Sequence, residues 1–300
     1  METFWGIDLG GTKIEGAVLH SRIEAKPICR LRVNTEAEGG YEHILSRIKG
    51  LVDAMAAETG HSPKKIGLAH PGSLDSETGL LKNSNTLCLN GQPVKEDLKK
   101  LLGVEVVMAN DANCFALAEA LLGAGRNAES VFGVIMGTGV GGGLVINGQV
   151  LNGCQGLAGE WGHNVLLETG PACYCGKRGC VESIISGVAT EKYYESLTGK
   201  KILAKEIVAK FEQGEDGATK TIHRLVEYFG KAISVVINIF DPHVIVLGGG
   251  LSNIGYLRSQ GRIEAERYAF LTQDEPRVLR TKIVGNELGD SAGVFGAAML

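Results

Sequence analysis

The chain has 300 residues, 44% hydrophobic and 21% charged, an ordinary water-soluble globular composition, and it is longer than one compact core usually needs, so two lobes are expected. A formal net charge of −4 argues against sequence-independent nucleic-acid binding, which requires a basic face. Seven cysteines, an odd number with three clustered near a histidine, fit a reduced cytoplasm better than a disulfide framework.

The N-terminus, METFWGIDLGG, enters a strand-like pattern at once. No basic region followed by an apolar stretch precedes it, so no signal peptide is expected. FWGIDLGG is an apolar run ending in Asp8 and two glycines, KIEGAVLH alternates like a strand, and a further strand is predicted over 28–33. An amphipathic helix fits Tyr41–Thr59, where Ile44, Ile48, Leu51, Val52 and Met55 fall on one face. A strand over 65–69 leads into the loop HPGSLDSETG. A helix near Val94–Leu102, a strand over 105–108 and a helix over 112–122 follow, an order that predicts a mixed sheet flanked by helices. VFGVIMGTG followed by VGGGLVING then repeats the layout of TFWGIDLGG followed by TKIEGAVLH. The most apolar stretches, 131–146 and 232–250, are interrupted by glycines, Asn238, Asp241 and Pro242, and neither predicts a membrane span.

Three glycine loops each follow an apolar strand. The first is Asp8-Leu9-Gly10-Gly11-Thr12-Lys13. Such a turn can aim successive backbone N–H groups at a phosphate, and Asp8 at the strand end can hold Mg2+ directly or through water. Taken alone, the loop fits an ordinary hairpin turn equally well. The second, Gly137-Thr138-Gly139-Val140-Gly141-Gly142-Gly143, satisfies G-x-G-x-x-G, but a dinucleotide site requires a helix to begin at the glycines. Here LVI and Asn147-Gly148 predict a strand and a type I′ hairpin turn instead. The third, Leu247-Gly248-Gly249-Gly250-Leu251-Ser252, follows HVIVL, and its three glycines let a flat ring lie close to the backbone.

His163, Cys173, Cys175 and Cys180 are spaced H-x9-C-x-C-x4-C. One imidazole and three thiols make a full tetrahedral zinc set with no open position, so the metal is expected to be structural. Glycines 170, 176 and 179 allow the tight folding this needs, and three thiols among glycines pack poorly as core. Cys29, Cys88, Cys114 and Cys154 read as packing residues. Asp111, where VVMAN gives way to a helical pattern, fits a helix N-cap and a general base about equally.

The E-x-G-H ending at His163, followed by C-x-C-G-x2-G-C-x-E ending at Glu182, resembles the signature of the ROK family, which groups bacterial sugar kinases with related repressors. The glycine loops extend the resemblance over nearly the whole chain. It implies an α/β actin-like ATPase (ribonuclease H-like) fold, with two mixed-sheet lobes hinged around a central cleft. One lobe would comprise 1–122 plus a C-terminal helix at about 289–300, and the other 123–288 with the zinc-binding insert 159–182. The three loops resemble the two phosphate motifs and the adenosine motif of that superfamily. They imply ATP and Mg2+ at Asp8, Gly10, Gly11, Thr12, Gly137, Thr138, Gly139, Gly248, Gly249 and Gly250. The family pattern makes Asp111 the base and gives the sugar to Asn110, Asp111, Glu160, His163 and Glu182, with Gly72 and Asn85 as further sugar-side positions. His163 would serve zinc with one ring nitrogen and sugar with the other.

The implied activity is ATP-dependent phosphorylation of the C6 hydroxyl of a free hexose. KNSNTLCLNGQP, ANDANC, AGEWGHN and CYCGKRGCVE are most similar to the bacterial fructokinase (manno-fructokinase) branch, which puts fructose first. Leu87-Cys88 depart from that branch, where an aromatic residue is expected. N-acetylglucosamine kinases share NDANCFAL and GTGVGGGL and stand as the alternative, with glucokinases, although the sequence names no obvious partner for an N-acetyl group. A sugar-responsive regulator would need a helix-turn-helix ahead of the first lobe, and the first strand begins by residue 4. A small-molecule hexose is the expected partner, with no nucleic acid and no membrane, and a homodimer is usual for the family.

Overall fold

The inner strands of the first sheet are buried almost throughout, and alternation shows only in the edge strand over Pro27–Asn34. In chain order come β1 (Phe4–Leu9), β2 (Lys13–Leu19), β3 (Pro27–Asn34), α1 (Tyr41–Thr59) and β4 (Lys65–His70). The short pair β5 (Ser73–Leu74) and β6 (Leu81–Lys82) follows, then α2 (Val94–Leu102), β7 (Glu105–Asn110) and α3 (Asp111–Leu121). β1, β2 and β3 form an antiparallel meander, β4 and β7 add in parallel beside β1, and the order is β3-β2-β1-β4-β7. The buried stripe of α1 is the predicted one with Leu45 added. It packs with Trp5, Ile7, Ile14, Val18 and Leu68 in one core.

The second half continues with β8 (Ser130–Met136), β9 (Val140–Ile146), β10 (Gln149–Val150), α4 (Val181–Ile185), α5 (Gly187–Thr198), α6 (Ala204–Glu212) and α7 (Asp216–Phe240). It ends with β11 (Val244–Gly248), α8 (Gly255–Tyr268), β12 (Lys282–Gly285) and α9 (Ala292–Met299). This computed structural model describes residues 2–272 and 278–300. The second sheet has the order β10-β9-β8-β11-β12, with β8, β11 and β12 parallel. It repeats the plan of the first, a hairpin edge on one side of a leading strand and parallel strands on the other. The layout repeat legible at 131–148 is therefore a repeat of topology. Asn147 and Gly148 both have positive φ, 50° and 72°, as the predicted type I′ turn demands.

Contacts group the chain into two units, Met1–Asn127 with Gly143–Ala158 and Glu287–Leu300, and Ala128–Gly142 with Gly159–Asn286. In the first unit α9 lies on the sheet with backbone almost touching backbone. A Cβ on Gly6 would strike the Val294 carbonyl, one on Gly67 the Ala297 carbonyl, and one on Gly296 the Cys114 carbonyl of α3. The approach to α9 is clasped by Glu119, fully buried on α3. Its carboxylate accepts the N–H groups of Ala124 (2.9 Å), Glu287 (3.1 Å) and Leu288 (2.9 Å).

Several features differ from the sequence expectations. The strands over 65–69 and 105–108 run on to His70 and Asn110. The apolar stretch 232–250 is the end of α7 followed by β11, and the break comes at Asp241, whose left-handed backbone (φ 46°) caps the helix with an N–H donated to Ile237 O. Cys29 and Cys114 are buried and Cys88 half-buried, but Cys154 is exposed and packs no core. Among the described residues no helix is long and apolar enough to cross a membrane.

Candidate active site

In the first unit the candidate site residues lie where strands end. Asp8 is the penultimate residue of β1, and Asp111 opens α3 directly after β7. The N-cap of α3 is Asn110, whose Oδ1 accepts the Asn113 N–H at 2.7 Å. Asp111 is thereby released from capping, and its Oδ1 takes the N–H of Ala112 at 2.8 Å. Its side chain reaches solvent, yet the chain crowded around it pushes its carboxyl up, with the N–H groups of Ala112 and of Asp111 itself pulling the other way.

Asp8 is half-buried. Burial, then the Asp111 and Glu15 carboxylates, push it up to about 7 against the pull of Arg32. Glu15 is itself buried and neutralised across the strands, where Arg32 Nε donates to Oε2 at 2.7 Å and Arg30 Nε to Oε1. A Cβ on Gly293 would lie 2.6 Å from Asp8 Oδ2, so glycine in the first turn of α9 leaves space for this carboxylate.

The first glycine loop is closed by the Gly10 N–H donating to Lys13 O (2.9 Å) and by Thr35 Oγ1 donating to Gly10 O (2.7 Å). A Cβ on Gly11 would only touch Thr86 Oγ1, at 3.4 Å. Beside it the 84–90 segment is held by Asn90, which accepts the Ser84 N–H (2.8 Å) and donates Nδ2 to Ser84 O (3.0 Å). The residue that ties this loop is thus Asn90, and Asn85 stays exposed. Gly72 has φ 82°, and a side chain there would press on the backbone of residues 82–84, so the fold itself requires glycine. His70 is buried, which lowers its pKa to about 4 and leaves a neutral packing residue.

In the second unit the Gly137 N–H donates to Gly139 O (2.9 Å), closing the second loop. The Val140 N–H donates to Glu182 Oε2 at 3.0 Å. A Cβ on Gly249 would meet the Met136 carbonyl, so the third loop is pressed against the strand that enters the second. Neither Gly137 nor Gly250 has positive φ, and a Cβ on either would point into open space. The fold does not demand glycine at these two positions. Bare backbone facing open space is what close approach of a nucleotide needs.

His163, Cys173, Cys175 and Cys180 place their ligand atoms within 4.8 Å of one another. Cys175 and Cys180 sulfurs are 3.6 Å apart, and Cys173 Sγ is 3.7 Å from His163 Nδ1, close to the roughly 3.7 Å edge of a tetrahedron built on zinc–sulfur bonds. The donor set and its spacing fit zinc. His163 Nε2 lies 3.0 Å from the Tyr174 hydroxyl. Burial, then the carboxylates of Glu182 and Glu160, push Tyr174 up to about 12. Trp161, between Glu160 and His163, donates Nε1 to Gly141 O (3.0 Å) and ties this turn to β9. Glu119, Glu15 and the capping roles of Asn110 and Asn90 carry no local motif; only the fold reveals them.

Residues 4–300 match the model of the ROK family. The chain belongs to this family. It is 37% identical over 308 residues to the N-acetyl-D-glucosamine kinase of Histophilus somni, covering 99% of this chain and 98% of that protein. Among solved structures it is similar to the ROK hexokinase of Thermus thermophilus, with a TM-score of 0.87, 31% identity and coverage of 99% and 97% of the two chains. A ROK glucokinase from Streptomyces griseus, in complex with glucose and AMPPNP, matches with a TM-score of 0.80, 27% identity and coverage of 99% and 98%. With its two mixed sheets the ROK chain has the actin-like ATPase fold.

The raised pKa of Asp8 has a consequence for stability. The folded ROK chain keeps a proton there up to about pH 7, whereas the unperturbed carboxyl loses it near 3.8. Native stability is therefore lost as pH rises across that interval. Asp8→Asn removes the penalty, so its Tm relative to the native chain should climb between about pH 4 and pH 8, measured without nucleotide or Mg2+. A difference that does not change with pH would contradict the assignment.

Proposed function

We propose that this chain, an ATP-dependent sugar kinase of the ROK family, phosphorylates N-acetyl-D-glucosamine at its C6 hydroxyl. The choice of sugar rests on one observation, the 37% identity to the N-acetyl-D-glucosamine kinase of H. somni along the full length of both chains. The motifs that put fructose first are local, and the relatives support the alternative over the fructokinase branch.

Phosphoryl transfer asks the protein chiefly for position, charge neutralisation and a base for the acceptor hydroxyl. Asp111 is proposed as that base. Released from capping and with its carboxyl pushed up, it is better matched to taking a proton near neutral pH than an ordinary aspartate. Asn110, Glu160, His163, Glu182, Gly72 and Asn85 are proposed to bind the sugar, the amides and carboxylates suiting ring hydroxyls that both donate and accept. Asp8 would hold Mg2+, Gly10, Gly11, Thr12, Gly137, Thr138 and Gly139 would line the phosphates, and Gly248, Gly249 and Gly250 the adenosine. ATP supplies the transferred phosphoryl group, and Mg2+ neutralises its charge. His163, Cys173, Cys175 and Cys180 would hold a structural zinc that braces the turn carrying Glu160 and Glu182.

Two measurements test this reading. In a coupled ADP-release assay, kcat/KM should be highest for N-acetyl-D-glucosamine and at least about tenfold lower for fructose, the discrimination a few pocket contacts supply. Fructose as the best substrate would restore the fructokinase assignment, and no ADP release with N-acetyl-D-glucosamine, fructose, mannose or glucose would reject the sugar kinase. Purified protein should carry about one zinc per chain, with chelation lowering the Tm. Metal-free protein of unchanged Tm would rule out a structural zinc.

A further inference from the structure

The turn between β8 and β9 is too short and too glycine-rich to hold its own shape. Its internal closure is the Gly137–Gly139 hydrogen bond, and two further bonds reach it from outside. The Gly187 N–H, at the start of α5, donates to Gly137 O at 2.7 Å. The Val140 N–H donates to Glu182 Oε2 at 3.0 Å. Both anchors come from the short segment 182–187, which begins two residues after Cys180.

That segment is itself immobilised. Val181, Ile184 and Ile185 are buried, the Ser186 N–H donates to Glu182 O, and Ser186 Oγ accepts the Ala189 N–H to cap α5. The Glu182 carboxylate is pressed so closely on the loop that a Cβ on Gly139 would lie 2.5 Å from Oε2. Gly139 has no positive φ, so a side chain there would press on the Glu182 carboxylate and not strain the backbone.

We propose that Glu182 is a positioning residue for the nucleotide, its carboxylate holding the second glycine loop in shape through the Val140 N–H. This rests on the ATP-kinase reading and adds to the sugar-side role proposed for the same residue. One oxygen is committed to the loop, so Glu182 ties the turn bearing the thiol ligands to the loop proposed for phosphate. Removing it frees the Val140 amide, and the loop then samples conformations that bind nucleotide poorly.

The test is Mg-ADP affinity by calorimetry, measured without sugar so that loss of a sugar contact does not contribute. Glu182→Gln keeps an amide oxygen that accepts the Val140 N–H and should bind within about threefold of the native chain, a fraction of the 1.4 kcal/mol that a tenfold change represents. Glu182→Asp keeps the charge but is one methylene too short, and Glu182→Ala removes the acceptor; both should bind about tenfold or more weakly. If Glu182→Ala does not fold, the Asp and Gln variants decide the matter. Native-like binding by Glu182→Asp overturns the inference while the kinase reading stands. Absence of Mg-ADP binding by the native chain overturns the kinase reading and this inference with it.

Discussion

The first unit depends on a contact made without side chains. Gly6 on β1 and Gly67 on β4 let α9 settle onto the sheet at backbone distance, and Gly296 does the same for α9 against α3. A methyl group at any of the three would collide with a carbonyl, and a packed interior has no slack to absorb it. The placement of α9 then positions the chemistry. Its first turn leaves room for Asp8 at Gly293, and its packing on α3 fixes the helix that begins with Asp111. The buried Glu119 carboxylate, accepting the amides of Glu287 and Leu288, aims the chain into this position. Loss of that acceptor would remove hydrogen bonds to a charged group, each worth about 1.5–3 kcal/mol.

A second regularity is that neighbouring side chains do the structural work and leave the reactive ones available. Asn110 caps α3 so that Asp111 need not, and Asn90 holds the 84–90 segment so that Asn85 need not. Electrostatics follows the same division. Glu15 is neutralised by Arg30 and Arg32, whereas burial, with the Asp111 and Glu15 carboxylates adding to it, raises Asp8 to about 7. Two carboxyls that both resist ionisation fit the roles proposed for them, Asp8 toward Mg2+ and Asp111 toward the acceptor's proton.

Much of this was legible in the sequence where the signal is local. The 3.6-residue period delimits α1 as Tyr41–Thr59, and the H-x9-C-x-C-x4-C spacing marks the four residues whose ligand atoms the fold gathers within 4.8 Å. The G-x-G-x-x-G at 137–142 is not a dinucleotide motif, because β9 and not a helix follows it. What stayed hidden depends on partners far along the chain. Arg30 and Arg32 meet Glu15 only through strand register, and Glu119 finds its donors 168 and 169 residues away. The choice between Asn110 and Asp111 as cap turns on one backbone conformation, which adjacent residues with equal capping propensity do not reveal.

The central claim is that Asp111 is the acceptor's base and not a cap. Its most direct test is kcat of Asp111→Asn with N-acetyl-D-glucosamine, alongside the thermal unfolding of the same variant. With Asn110 still capping α3, the variant should unfold at nearly the native temperature while kcat falls by about 10²–10⁴, the usual share of general-base catalysis. A variant with near-native kcat would contradict the account.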